Sequence, residues 1–150
     1  MYHWIVARKV RATFAQIANG NWEPMLTGMA PRFSYRFYGN SALSGERHTL
    51  DGLRRWWERS TKLLPNPTFT IEEVIVAGWP WNTRIATRVR VRAALADGSA
   101  YDNIFMQNLA MSWARITEIH TLEDTANLQA ALDRLAVAGI GEARADPITD

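Results

Sequence analysis

Between Thr68 and Leu122, apolar and polar residues alternate in long runs. That is the pattern of sheet strands whose two faces meet different surroundings. The runs fall at Thr68–Ala77, Arg84–Leu95, Tyr101–Met111 and Arg115–Leu122. Gly78-Trp79-Pro80-Trp81-Asn82, Ala96-Asp97-Gly98-Ser99 and Ser112-Trp113-Ala114 separate them, and the Asp-Gly pair of the second is a hairpin signal. Elsewhere the period is helical. Val6, Val10, Phe14 and Ile17 share one face of a first helix, which Asn19-Gly20 ends. Pro24 suits the first turn of a short second helix after Trp22. Phe33–Tyr38 then alternates as a short aromatic strand, and Gly39 to His48 reads as a loop. Thr49 is placed to cap a third helix, with Leu50, Leu53, Trp57 and Leu64 on one face and Arg54, Arg55, Glu58, Arg59 and Lys62 on the wet side. Pro65-Asn66-Pro67 ends it. Asp124 or Thr125 caps a last helix in which Leu128, Ala131, Leu132 and Leu135 share a face. Residues 139–150 have no periodicity and are expected to form a mobile tail behind a single domain spanning 1–138.

Helices gathered at one end of an antiparallel sheet make the fold class α+β. A cone-like, curved antiparallel sheet wrapped around the long N-terminal helix would leave a conical cavity between them. Composition narrows what such a cavity serves. The chain has 150 residues, enough for one domain with a real core. Seven tryptophans point to an aromatic-lined interior or interface. A formal charge of +2 is too small to argue for a nucleic-acid partner. With no cysteine, a disulfide framework and cysteine-ligated zinc are excluded. Three scattered histidines and no phosphate loop lead us to expect no metal and no cofactor. No apolar run reaches membrane-spanning length and the N-terminus lacks a signal-peptide core, so a cytoplasmic protein with no membrane partner is expected.

Four groups of residues could carry chemistry. Arg88, Arg90 and Arg92 share one strand face, which is either solvated or, if buried, a fork of donors for an oxyanion. Trp22, Phe33, Tyr35, Phe37, Trp56 and Phe105 form either ordinary core or a flat apolar slot in which Tyr35 would hydrogen-bond a ligand oxygen. Asn103 and Gln107 share a strand phase with Tyr101 and Phe105, an unusual polar choice for a buried face. A bulge there would bring Asp102 inward instead, which makes Asp102 a reserve acid/base. His48 and His120 could titrate near neutrality.

The helix ending Asn19-Gly20-Asn21-Trp22, the aromatic strand leading into Gly39-Asn40-Ser41-Ala42-Leu43-Ser44-Gly45, and the closing series Ile116, Leu122-Glu123-Asp124-Thr125, Leu128 and Leu132 together resemble the nuclear transport factor 2-like fold. Within it they resemble the SnoaL-like family, from Val6 to Leu135. That group includes polyketide cyclases, ketosteroid isomerases, limonene epoxide hydrolases and dehydratases, so the fold alone names no function. The epoxide hydrolases' arginine falls on Arg88 and their water-holding tyrosine on Tyr35. Their two aspartates fall on Arg90 and Thr121, and the asparagine two residues after the tyrosine falls on Phe37. Without a carboxylate to activate water, that activity is rejected. Phe33–Tyr38 also lacks the carboxylate base that ketosteroid isomerases place near this strand.

The resemblance implies that Arg88 and Arg90 face the cavity with Glu123 as partner, and that Thr121 lies on the same inner phase. The resulting expectation is a pocket for a small hydrophobic molecule bearing oxygen. Tyr35 and Arg88 would polarise that oxygen, and Asp102, Glu123 or His48 would move a proton in cofactor-free isomerisation, cyclisation or dehydration. The alternatives are a non-catalytic binding protein and a structural homodimer. A homodimer is expected through the convex sheet face, with Ile85, Thr87, Val89, Val91, His120 and Leu122 pointing outward.

Overall fold

The alternating stretch folds into four consecutive antiparallel strands in the computed structural model, which describes residues 1–150. They are preceded by α1 (Tyr2–Ala18), α2 (Glu23–Thr27), β1 (Met29–Phe37), β2 (Gly45–Arg47) and α3 (Leu50–Leu63). The four strands are β3 (Thr68–Trp79), β4 (Asn82–Ala94), β5 (Ala100–Ser112) and β6 (Arg115–Glu123). α4 (Thr125–Val137) and a 3₁₀ turn (Gly141–Arg144) complete the chain. The six strands make one sheet in the order β2-β1-β6-β5-β4-β3. Trp113 and Ala114 turn the β5–β6 hairpin with φ of 50° and 65°, the left-handed pair that matches strand twist. No helix is long and apolar enough to cross a membrane.

The sheet is not antiparallel throughout. β1 runs parallel to β6, with Tyr35 opposite Ile119 and Phe37 opposite Thr121. A parallel pair needs a long crossover, and the whole segment from β2 to β5 supplies it. The expected loop from Gly39 also contains β2, whose three residues are too few to show a period.

Strand phase departs from expectation on β4. Thr83, Ile85, Thr87, Val89 and Val91 are buried, and the intervening arginines point to the outer face. The reason is energetic. Uncharged, mostly β-branched side chains gain by leaving water, whereas a guanidinium enters the interior only with full compensation. A shift of one residue in the aligned register inverts every side chain, so Arg88 and Arg90 are outside the cone. A bulge between Ile71 and Glu73 lets two carboxylates meet Arg88, Glu72 at 3.0 Å and Glu73 at 3.3 Å. The apolar patch expected at a dimer interface loses its β4 members for the same reason. Ile85, Thr87, Val89 and Val91 face inward, and of that set only His120 and Leu122 lie on the outer phase.

α1 and α3 lie across the inner face. α3 begins where expected, with Thr49 Oγ1 accepting the Gly52 amide at 3.0 Å. Asp124 likewise caps α4 through the Asn127 amide at 3.2 Å. Because an uncapped helix start leaves donors unsatisfied, Thr49→Ala should cost about 1 kcal/mol, read as a lower urea midpoint with an unchanged slope.

The tail expected to be mobile is packed instead. Ile148 is buried, and its carbonyl accepts a 2.7 Å bond from the fully buried Arg47. Asp150 Oδ1 accepts the amides of His48 and Thr49 at 2.6 and 3.2 Å, and its other oxygen accepts the Thr49 hydroxyl. Gly52 leaves room for that carboxylate, since a Cβ there would collide with it. These contacts join residues about 100 positions apart, which no local periodicity announces.

Candidate functional site

The inner face and the helices enclose a cavity of about 780 Å³, within the range of small-molecule sites. Each wall comes from a different element. Tyr35 and Phe37 on β1 meet Trp56 on α3, with ring centroids 4.9 and 6.1 Å away. Phe14 of α1 packs on Phe69 of β3 and Phe105 of β5 at 5.2 and 6.1 Å. The exposed lining residues Ile5, Lys9 and Trp113 mark the open side. Against this apolar lining, Gln107, Thr121 and Glu123 form one polar strip on adjacent strands. Phe105 is paired with Glu123 and Gln107 with Thr121, and Gln107 Nε2 donates to Thr121 Oγ1 at 3.0 Å.

Glu123 is the chemically distinctive member. Only 6% of its surface is exposed, and burial raises its carboxyl to about 7. The Tyr101 hydroxyl, donating to Oε1 at 2.8 Å, holds that value down, and the nearby Asp124 charge adds to the rise. Oε2 has no protein hydrogen bond. Tyr35 has an equally clear cause for its shift. Burial pushes its phenol up, partly opposed by the Arg47 guanidinium, which lies 5.4 Å from the ring centre. At neutral pH it is a neutral donor with no side-chain partner for its hydroxyl.

Of the residues expected at the site, Tyr35, Phe37, Trp56, Phe105, Gln107, Thr121 and Glu123 line the cavity. Trp22 stands behind the lining, stacked on Trp57 at 6.5 Å and 8°. Phe33 is buried outside the cavity, beside His48 in a shallower depression. Asn103 sits behind Glu123, bonded to Tyr101 and the Asp124 carbonyl. Arg88, Arg90 and Asp102 are not at the site. Arg90 and Asp102 form a two-bond pair at 2.8 and 2.9 Å on the outer face. Asp102 therefore stays outward because β5 has no bulge there to invert it. His48 binds the Asp150 carbonyl at 2.8 Å at the surface, and His120 meets Ser34 and Glu118 on the outer phase. Tyr101 is a functional neighbour that alternation alone does not reveal: its phase puts it with Asn103, but its hydroxyl meets Glu123 only across the strand pair. No three histidine, cysteine or carboxylate side chains are grouped as a metal site.

A curved sheet closing with helices around an apolar cavity with a polar strip is the NTF2-like α+β architecture. A profile of the SnoaL-like domain matches residues 10–125, and the chain belongs to that family. The fold is similar to that of PrhC from Penicillium brasilianum, with a TM-score of 0.74 at 19% identity over 88% of each chain. It is also similar to a protein from Jannaschia sp. CCS1 assigned as a SnoaL-like polyketide cyclase, at TM-score 0.70 and 14% identity over 86% of this chain and 92% of that one. TerC, co-crystallised with polyporic acid, aligns at TM-score 0.69 and 16% identity over 85% and 97%. No curated protein matches the chain.

Proposed function

We propose that the protein binds a neutral, largely apolar molecule carrying a carbonyl oxygen and moves a proton on it with Glu123. The observation that carries this reading is a carboxyl group that faces an apolar cavity with a value near 7. Such a group is poised to give or take a proton at physiological pH. As a base, Glu123 would take a proton from the carbon beside the carbonyl, leaving an enolate whose oxygen Tyr35 stabilises by donating a hydrogen bond. Where a double bond is conjugated with the enolate, returning the proton at its far carbon completes an isomerisation; where the β-carbon bears a hydroxyl, its departure with that proton as water completes a dehydration. Phe105, Phe37 and Trp56 would hold the flat apolar body. The assignment of one fold neighbour as a polyketide cyclase and the co-crystallisation of another with polyporic acid support a ligand of this kind.

A non-catalytic binding protein is the second reading, favoured by Glu123 being the one carboxylate that lines the cavity. One assay separates them. The ketone 1-tetralone in heavy water exchanges its α-hydrogens only through proton transfer, which NMR follows directly. Saturable binding with accelerated exchange supports the enzyme, binding without acceleration supports the carrier, and no binding at millimolar ketone overturns both.

A further inference from the structure

The amide of Asn103 has only one orientation compatible with its backbone neighbours. Its Oδ1 lies 2.8 Å from the Ile104 N–H, which can only donate, and its Nδ2 lies 3.0 Å from the Asp124 carbonyl, which can only accept. Nδ2 also lies 2.8 Å from the Tyr101 oxygen. The Tyr101 hydroxyl must therefore accept from Asn103, and its single hydrogen is directed to Glu123 Oε1 at 2.8 Å. Oε1 facing a hydrogen cannot itself carry one in that direction. When Glu123 is neutral, its proton is on Oε2, the oxygen without a protein partner.

From this chain of fixed polarities we infer that Asn103 and Tyr101 are positioning residues that make Glu123 a one-directional donor into the cavity, and that the site selects neutral carbonyl compounds over carboxylates. The ligand class rests on the cavity being the binding site, as proposed above; the relay does not. A neutral ketone accepts the Oε2 hydrogen without carrying charge into an apolar space. A carboxylate would have to shed its water, and the only cation lining the cavity is Lys9 at its open side. The other titratable groups around Glu123 are Tyr101 on β5, Asp124 at the end of β6 and Tyr35 on β1, and none is a cation. The β4 arginines lie across the sheet.

Tyr101→Phe tests the relay because it removes one oxygen and leaves the ring in place, with Asn103 still bonded to Asp124. Two ligand-free readouts apply, carboxyl carbon-13 NMR titration and infrared of the neutral acid, with Glu123→Gln identifying the signals. The variant should titrate about one pH unit higher, because the carboxylate has lost its donor. Its acid carbonyl stretch should rise in frequency, because Oε1 no longer accepts a hydrogen bond. An unchanged midpoint and stretch overturn the relay. The neutral aromatic ketone prodan, whose emission reddens when its carbonyl accepts a hydrogen bond, tests the ligand class. In the wild type, emission from the bound probe should shift blue as pH rises through the Glu123 midpoint. In Tyr101→Phe that transition should move upward with the NMR midpoint. Bound prodan indifferent to pH, or a carboxylate analogue binding as tightly at pH 6, overturns the selectivity. Failure of prodan to bind overturns the cavity reading while the ligand-free readouts still decide the relay.

Discussion

Glu123→Gln should leave the protein more stable above neutral pH and at the same time suppress proton transfer. The folded carboxyl has a value of about 7, against 4.5 for the unperturbed group. The folded state therefore holds this proton more tightly than the unfolded chain does. The contribution to stability is fully present below pH 4.5 and is lost as pH rises through 7. A gap of that size corresponds to at most roughly 3 kcal/mol. Glutamine has nearly the same shape, its carbonyl can accept the Tyr101 hydrogen, and it has no charge to bury. The variant should exceed the wild type by about 1–3 kcal/mol at pH 8, with the advantage gone by pH 4. Exchange of 1-tetralone should fall by about 10²–10⁴-fold, the usual contribution of a positioned acid or base. Urea titrations at the two pH values and NMR exchange rates check both halves. A variant destabilised equally at both values would contradict the assignment.

Arg47→Ala should be the most damaging single change outside the cavity. The side chain is fully buried, with Nη1 donating to Ser44 and Ile148 carbonyls at 3.1 and 2.7 Å and Nη2 to the Gly45 carbonyl at 3.1 Å. Its guanidinium also lies over the rings of Tyr35 and Trp56, 5.4 and 5.3 Å from their centres. Truncation removes the donor from three carbonyls at once and opens a void beneath two cavity-lining rings. Buried acceptors left without a donor cost about 1–3 kcal/mol each, offset by the relief of no longer burying a cation. A net loss of about 3–5 kcal/mol is expected. Residues 141–150 should also become susceptible to protease at concentrations that leave the wild type intact. Arg47→Lys should rescue little, because one ammonium cannot reproduce a planar fork. Wild-type stability in Arg47→Ala would show that the tail is held by other contacts.

What the sequence reveals here follows the range of the interactions. The four long strands, the caps at Thr49 and Asp124 and the apolar face of α4 are local patterns, and each appears in its expected place. Inner placement of Phe105, Gln107 and Glu123 follows from strand alternation together with the family likeness. Arg88 shows where the likeness misleads. On β4 the alternation of arginine with Ile85, Val89 and Val91 already favours charges outside, and the aligned register sets it aside. Asp102 could turn inward only through a bulge, and the β4–β5 register runs unbroken past it. The seat of Ile148 and Asp150, the parallel β1–β6 joint and the bond from Tyr101 to Glu123 depend on partners far apart in sequence or across a strand pair. Periodicity within one segment carries no trace of them.

The parallel joint between β1 and β6 also bears on the order in which the chain can acquire its structure. Strands β3 to β6 are joined by short hairpins, so their pairing closes small loops and can proceed early. β1 has to wait for β6, because Tyr35 pairs with Ile119 and Phe37 with Thr121. During synthesis, the aromatic wall leaves the ribosome first with only the three-residue β2 to pair with, and its other edge stays open until the strand bearing Glu123 emerges. Glu123 and the aromatic residues of β1 are therefore brought side by side on one wall of the cavity only when this pair forms, and a nascent chain halted before β6 would expose those rings to chaperones.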